Sequence, residues 1–376
     1  MTPESVPYIV AALAAGGIFA PVIISSAPVG FLRIILAAVA LALSIASIFC
    51  ATGTFAFGMI AVLLILRGLF ANKGTDLPKL PCIVSTLFAV VAALTGEWPV
   101  LNLIAAVLLL ATLSGAWPMH WLAARVIDRS PIAMAEQIST CIVATFAYLR
   151  FVAPTEFAFD AASTLVRLGA VLALLPAITA LVQVNLRGFY RCVVAMHGGM
   201  LIAALGAAGH GHSAAALLVT VTLALAMGGL GAMVAAVEDR CGRVLLKEQG
   251  GRIWGMPRLA AAFLLFAASG VGMPGTAGFI ADDLLLHALW EESVVGSLIM
   301  IVAAALLAVA TLATFAKIFL GPPATSLAGD LSACRISARL WRSTALSFIL
   351  PVDVVTESGI RDDSRESILR DVRYAA

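Results

Sequence analysis

Apolar stretches long enough to cross a lipid bilayer recur along this chain, and they restrict its fold more than any single motif does. A spanning helix needs about 20 apolar residues, because each residue rises about 1.5 Å through a hydrocarbon layer about 30 Å thick. About eleven segments meet that requirement: 6–27, 31–50, 53–71, 81–96, 99–117, 130–150, 162–184, 190–208, 213–237, 257–288 and 293–320. Of the 376 residues, 62% are hydrophobic and 12% charged, too few charges to coat a soluble domain. The expected fold is therefore an all-α polytopic membrane protein. Residues 1–80 would hold the N-terminal membrane helices, 81–322 the membrane core and 323–376 a polar tail.

The charges set orientation and exclude some partners. A net charge of +2, with basic residues in short clusters between apolar runs, leaves no stripe for nucleic acid. Lys and Arg collect in alternate loops: Arg33, then Arg67, Lys73 and Lys79, then Arg125 and Arg129, then Arg187 and Arg191, then Arg240, Arg243, Lys247, Arg252 and Arg258. The intervening loops carry Glu97, Glu156, Asp160, His210, Glu291 and Glu292, with Arg150 and Arg167 as exceptions. Because cytoplasmic loops collect positive charge, the N-terminus is expected outside and the C-terminus inside. The start "MTPESVPYIV" lacks the basic region of a signal peptide, so 6–27 is read as the first span. In the tail, Arg335, Arg339 and Arg342 lie at helical spacing beside Leu331, Ile336, Leu340 and Leu346. That pattern suits either a helix on the anionic inner leaflet or a solvated extension.

Six cysteines occur singly, without C-x-x-C pairs or His at ligand spacing, so no metal site and no cofactor are expected. His210 and His212 in "GHGHS" have no third ligand in view and read as a polar turn. Nor do the loops gather the acidic pairs or Ser/His/Asp set that a lipid-acting enzyme would need. No catalytic residues are assigned.

The most unusual stretch is "SGVGMPGTAGFIADD", residues 269–283. Gly272, Pro274 and Gly275 interrupt the helical ladder of an apolar segment, since proline lacks an N–H and glycine permits unusual backbone. The freed backbone groups must find water or neighbours, creating a polar pocket, and Asp282 follows about two turns beyond the proline.

Together with the preceding loop, "VEDRCGRVLLKEQGGRIWGMPRL", this stretch resembles the antiporter-like membrane subunits of respiratory complex I. That family is shared with Mrp-type cation/proton antiporters and membrane-bound hydrogenases. "GAWPMHWLAARVIDRSP" is similar to its P-x-H-x-W-L-P stretch, and "LRGFYRCVVAMHGGMLIAALG" to its K-R-x-x-A-Y-x-S-x-x-H-M-G segment. The match runs over about 100–322 in consistent order. It implies two inverted five-helix repeats with discontinuous helices, on segments 2–6 and 7–11. It also implies a multi-pass protein of a bacterial-type cell membrane, with other membrane subunits, the bilayer, and protons or monovalent cations as partners.

The resemblance further implies a chain of titratable residues, which this sequence keeps in part. The family carries a Glu on one helix of the first repeat and a Lys on two later ones. Here segment 3 has no acid, the lysine positions fall near Leu113 and Ile142 to Ala144, and no lysine lies at the centre of a span. Glu136 is the one candidate replacement. It is either a carboxylate one and a half turns into segment 6, lined by Gln137, Ser139 and Thr140, or a residue of the helix's first turn favoured by the dipole.

In the second repeat His197 matches the family's channel histidine, suited to proton relay or else a core residue bonded to a carbonyl. The next family histidine aligns with Leu223. Asp282 falls on the family's terminal acid, and Asp283 and His287 share a helical face four residues apart. The alternative places both aspartates in the outer loop. Lys317 matches a basic position but suits snorkelling to the inner interface. His120, Trp117 and Trp121 resemble a family contact at that interface. Asn185 stands where the family's D-x-K-R bend has its acid, so Arg187 is expected to lack a charge partner.

Two functions compete. One is a membrane subunit of a complex-I-like or hydrogenase-like assembly with a degenerate proton path, structural or conducting by a reduced route. The other is a stand-alone or two-component transporter, either a cation/proton antiporter or the membrane partner of an inorganic-carbon uptake system.

Overall fold

The structure, a computed structural model, describes residues 31–69, 78–246 and 250–322, with side chains from residue 37. The expected first span, 6–27, and the tail, 323–376, lie outside the described residues. Among those described, regular structure is helical throughout. It begins with α1 (Phe31–Ile48), α2 (Gly53–Leu69), α3 (Lys79–Leu94), α4 (Pro99–Ser114), α5 (His120–Arg129) and α6 (Ala133–Phe151). A short α7 (Glu156–Asp160) leads to α8 (Ala162–Leu181), α9 (Leu186–Ala208), α10 (Ser213–Thr222) and α11 (Gly228–Cys241). The chain then forms α12 (Pro257–Gly270), α13 (Ala277–Glu292) and α14 (Val294–Phe319).

Four helical stretches among the described residues are long and apolar enough to cross a membrane: Ala162–Leu181, Leu186–Ala208, Ser213–Cys241 and Val294–Phe319. Several expected spans are revised. Segment 99–117 ends at Ser114, where Gly115 takes φ +79°, a conformation open to glycine at little cost. After five non-helical residues the chain re-forms as α5, a helix where no span is expected. That helix is amphipathic, with Leu122, Val126 and Ile127 buried and Arg125, Asp128 and Arg129 exposed. Segment 130–150 begins as a helix only at Ala133, and segment 257–288 is two helices separated by 271–276.

Segment 213–237 is continuous to Cys241 but contains one π-helical turn, Leu223–Met227. Such a turn shifts the hydrogen-bond ladder by one residue. The hydroxyl of fully buried Tyr190 donates to Met227 O at 2.8 Å, satisfying a carbonyl at the end of the irregular turn.

α8 and α9 pack backbone against backbone. A Cβ on Gly169 would lie 2.2 Å from Ala203 N, and one on Gly199 would lie 2.4 Å from Ala173 N. Small residues permit this approach, which in lipid replaces the hydrophobic drive of water-soluble cores. The result is that α9 is 94% buried over its apolar window, against 33% for α14. The two basic exceptions in the loop pattern are also structural: Arg150 donates to Ile48 O at the end of α1 (3.1 Å), and Arg167 to Ser293 Oγ (3.1 Å).

Candidate functional site

The break between α12 and α13 is built on one missing donor. In a continuous helix the carbonyl of Gly270 would accept from the N–H of residue 274, which is Pro274 and has none. Gly272 (φ +73°) and Gly275 (φ +90°) carry the chain through the turn in conformations that L side chains rarely adopt. The orphaned Gly270 carbonyl is taken up by His197 of α9, whose Nε2 lies 2.8 Å from it.

The other ring nitrogen of His197, Nδ1, is 2.8 Å from Val193 O, and the side chain is 2% exposed. Two carbonyls therefore face a ring that has one N–H when neutral and two when protonated. A neutral ring satisfies one carbonyl and turns a lone pair toward the other; the protonated ring donates to both.

Asp282 meets the same break from the other side. Its carboxylate folds back over the turn, so that a Cβ on Gly272 would lie 2.1 Å from Oδ2. It is half-buried within α13, not in a loop. Its sequence neighbours diverge from it: Asp283 and His287 are exposed rather than turned onto the break, and among the described residues no hydrogen bond or ion pair joins the two. Sharing a face at four-residue spacing did not make them partners. Lys317 lies half-buried in the last turn of α14, where its backbone carbonyl accepts from Gly250 N at 2.8 Å.

The first break, 115–119, touches the same helix. A Cβ on Gly198 would sit 2.7 Å from Ala116 N, so consecutive residues of α9 contact the two breaks, Gly198 the first and His197 the second. Trp117 stacks on His120 at 4.3 Å beside this turn, and Arg125 covers the ring of Trp121.

The first half of the bundle holds a charge pair that sequence reasoning missed. Arg67, assigned to an inner loop, lies on α2 and is 4% exposed. Its Nε is 3.5 Å from Glu136 Oε1, and its Nη1 donates to Glu136 O at 3.0 Å and to Thr140 Oγ1. Glu136 is in the first turn of α6, because that helix starts three residues later than expected. The guanidinium and the helix N-terminus thus both lie near the carboxylate. The available signal was an arginine flanked by apolar residues on both sides, "LLILRGLF".

At one end of the bundle Arg187 does have a charge partner. Glu238 Oε2 accepts from its Nε at 2.6 Å, and Asn185 caps α9 by accepting from Gly188 N at 2.6 Å. Arg191 pairs with Asp128. At the other end His210 meets Glu292 at 2.6 Å and His212 meets Glu291 at 3.0 Å.

A bundle of apolar helices, two of its helical runs interrupted, with a histidine and a carboxylate drawn onto one interruption, defines a polytopic helical type of membrane protein. The chain belongs to the family described as NADH:quinone oxidoreductase/Mrp antiporter, transmembrane, whose model matches residues 20–308. The structure is similar to a chain of respiratory complex I from Thermus thermophilus (TM-score 0.75, 19% identity, 90% of this chain and 78% of that one). It is also similar to a chain of the Mrp complex from Dietzia sp. DQ12-45-1b (TM-score 0.67, 18% identity, 86% and 67%). A third neighbour is in the membrane-bound sulfane sulfur reductase, an archaeal respiratory membrane complex (TM-score 0.72, 15% identity, 90% and 63%). No curated protein sequence matches the chain. All three neighbours come from multi-subunit membrane complexes, and at these identities the likeness concerns the fold.

Proposed function

We propose that this chain is an integral membrane subunit of a complex-I-like or hydrogenase-like assembly, with the antiporter fold and a reduced proton path. Protons or monovalent cations are the transported species, and the route runs through His197 and Asp282. The observation that carries this reading is their convergence on one break: His197 holds the carbonyl that Pro274 orphans, and Asp282 covers Gly272. A titratable pair at a discontinuous helix is the arrangement by which transporters bind ions inside a membrane.

About eleven spans are proposed, with inverted repeats on α1–α6 and α8–α14. Each would place its break in its fourth crossing, at 115–119 and 271–276. The N-terminal helices of 1–80 and the core of 81–322 act as one unit, since Arg67 of the former pairs with Glu136 of the latter. The protein would sit in a bacterial-type inner membrane with its N-terminus outside and its C-terminus cytoplasmic, as the basic loops require.

The test is proton flux in liposomes containing the protein with its membrane partners, read by a pH-sensitive dye. Flux that falls at least about tenfold in both His197→Ala and Asp282→Asn is expected, as for loss of a proton-transfer group contributing 10²–10⁴-fold. Flux unchanged by both substitutions would remove these residues from the path, and no flux in the intact assembly would leave a purely structural subunit.

A further inference from the structure

Beside the Arg67–Glu136 pair lies a cavity of about 10 Å³, lined in part by Arg67, Cys82, Ser85 and Gln137. Its lining residues come from α2, α3, α4 and α6. Two polar atoms of its wall residues, Nη2 of Arg67 and Oε1 of Gln137, are buried without a hydrogen-bond partner, and Arg67 Nε has only its ion pair with Glu136 at 3.5 Å. Both residues are 4% exposed and Ser85 is 2% exposed, so bulk solvent does not satisfy them.

The orientation of the Gln137 amide follows from its other end. Nε2 donates to Thr112 O at 2.7 Å and Leu113 O at 3.2 Å, the terminal carbonyls of α4 just before its break. Oε1 is left as an acceptor. Ser85 Oγ, also in the cavity lining, donates to Thr112 Oγ1 at 3.1 Å, which leaves its oxygen able to accept. The wall thus offers a charged donor and two acceptors.

We propose that this cavity binds a single water molecule, which accepts from the Arg67 guanidinium and donates to Gln137 Oε1 and Ser85 Oγ. The site then ties together the four helices of the first half and makes Arg67 the fixed counter-charge that keeps Glu136 ionised. The volume matches the roughly 10–15 Å³ that one water needs, and three hydrogen bonds are typical of a buried one. A second cation is repelled by the guanidinium, and an anion larger than water has no room. An unmet guanidinium N–H costs more than a neutral one, so a dry cavity is the expensive alternative.

The role given to Glu136 deepens the proton-path reading and rests on it; the water site does not. A high-resolution experimental map should show density between Arg67 and Gln137, and an empty cavity there overturns the proposal. Filling gives an independent test. Cys82→Val adds apolar bulk to the wall, so it lowers the melting temperature if it expels a water from charged partners. In an Arg67→Met/Glu136→Gln background the same change is expected to be neutral or stabilising. A drop of equal size in both backgrounds means simple overpacking and overturns the water.

For the counter-charge, infrared spectroscopy of Arg67→Met at neutral pH should reveal a protonated carboxylic C=O stretch that disappears in Arg67→Met/Glu136→Gln. No such band overturns Arg67's role as positioning residue. These readouts need no transport, so failure of proton conduction would leave them decisive.

Discussion

At the residue scale, the break at 271–276 separates two kinds of glycine requirement. Gly275 needs only its backbone freedom, since nothing lies within 4 Å of where a Cβ would be. Gly272 needs that freedom and also the space, because Asp282 Oδ2 occupies it. Gly275→Ala is expected to cost about 1–2 kcal/mol through its left-handed conformation. Gly272→Ala should cost more and also displace the carboxylate. Thermal unfolding in detergent checks the order, and equal losses would show that Asp282 is not held against the turn.

His197 and Asp282 were both legible as candidates, because a titratable residue in an apolar run is costly and therefore informative. Arg67 was equally informative on that principle and was assigned to a loop because it lies near the end of its run. Whether an arginine in the last turn of a helix reaches water or a carboxylate depends on what packs beside it, and Glu136 is 69 positions away.

At the scale of elements, the irregularities are the parts with assigned work. The π turn at Leu223–Met227 falls where the family resemblance placed a histidine now replaced by Leu223. Its free carbonyl is held by Tyr190 across from α9. Tyr190→Phe removes that donor from a buried site and is expected to cost about 1–3 kcal/mol, the penalty of leaving a buried acceptor unmet. Hydrogen exchange at the amides of 223–230 should rise with it; unchanged protection would mean that the turn is held by packing alone.

Close approach of α8 and α9 makes a second element-scale prediction. Gly199→Ala places a methyl against the backbone of Ala173, where no flexible side chain can yield. It should separate the helices and lower the melting temperature more than Gly58→Ala, a position with nothing within 4 Å. The small-residue run "HGGMLIAALGAAG" announced such contact; its partner, Gly169 and Ala173, could not be read from spacing.

For the whole molecule, α9 is the organising element. It is nearly enclosed, it touches both breaks through adjacent residues, and it carries the buried histidine. The two ends of the bundle differ in chemistry. One has Arg187, Arg191, Glu238 and Asp128 in contact, and the other has two His–Glu pairs. The basic end should face the cytoplasm. In a background without native cysteines, Glu291→Cys is expected to react with an impermeant maleimide on intact cells. Arg243→Cys should react only after permeabilisation, and the reverse pattern would invert the proposed topology.

Composition and apolar run length determined that this chain is a helical membrane protein, because continuous apolar runs of about 20 residues satisfy their own backbone within lipid as helices, whereas barrel strands alternate apolar and polar residues over about 10. Local motifs placed the helix break and the acid behind it, since proline and glycine act on their own few residues wherever they stand. Only the tertiary structure decided which groups meet: His197 with the carbonyl that Pro274 orphans, Asp282 rather than Asp283 with the turn, and Arg67 with Glu136 across two helices. Hydrogen bonds and ion pairs act over a few ångströms, and helix packing alone determines which distant residues come that close.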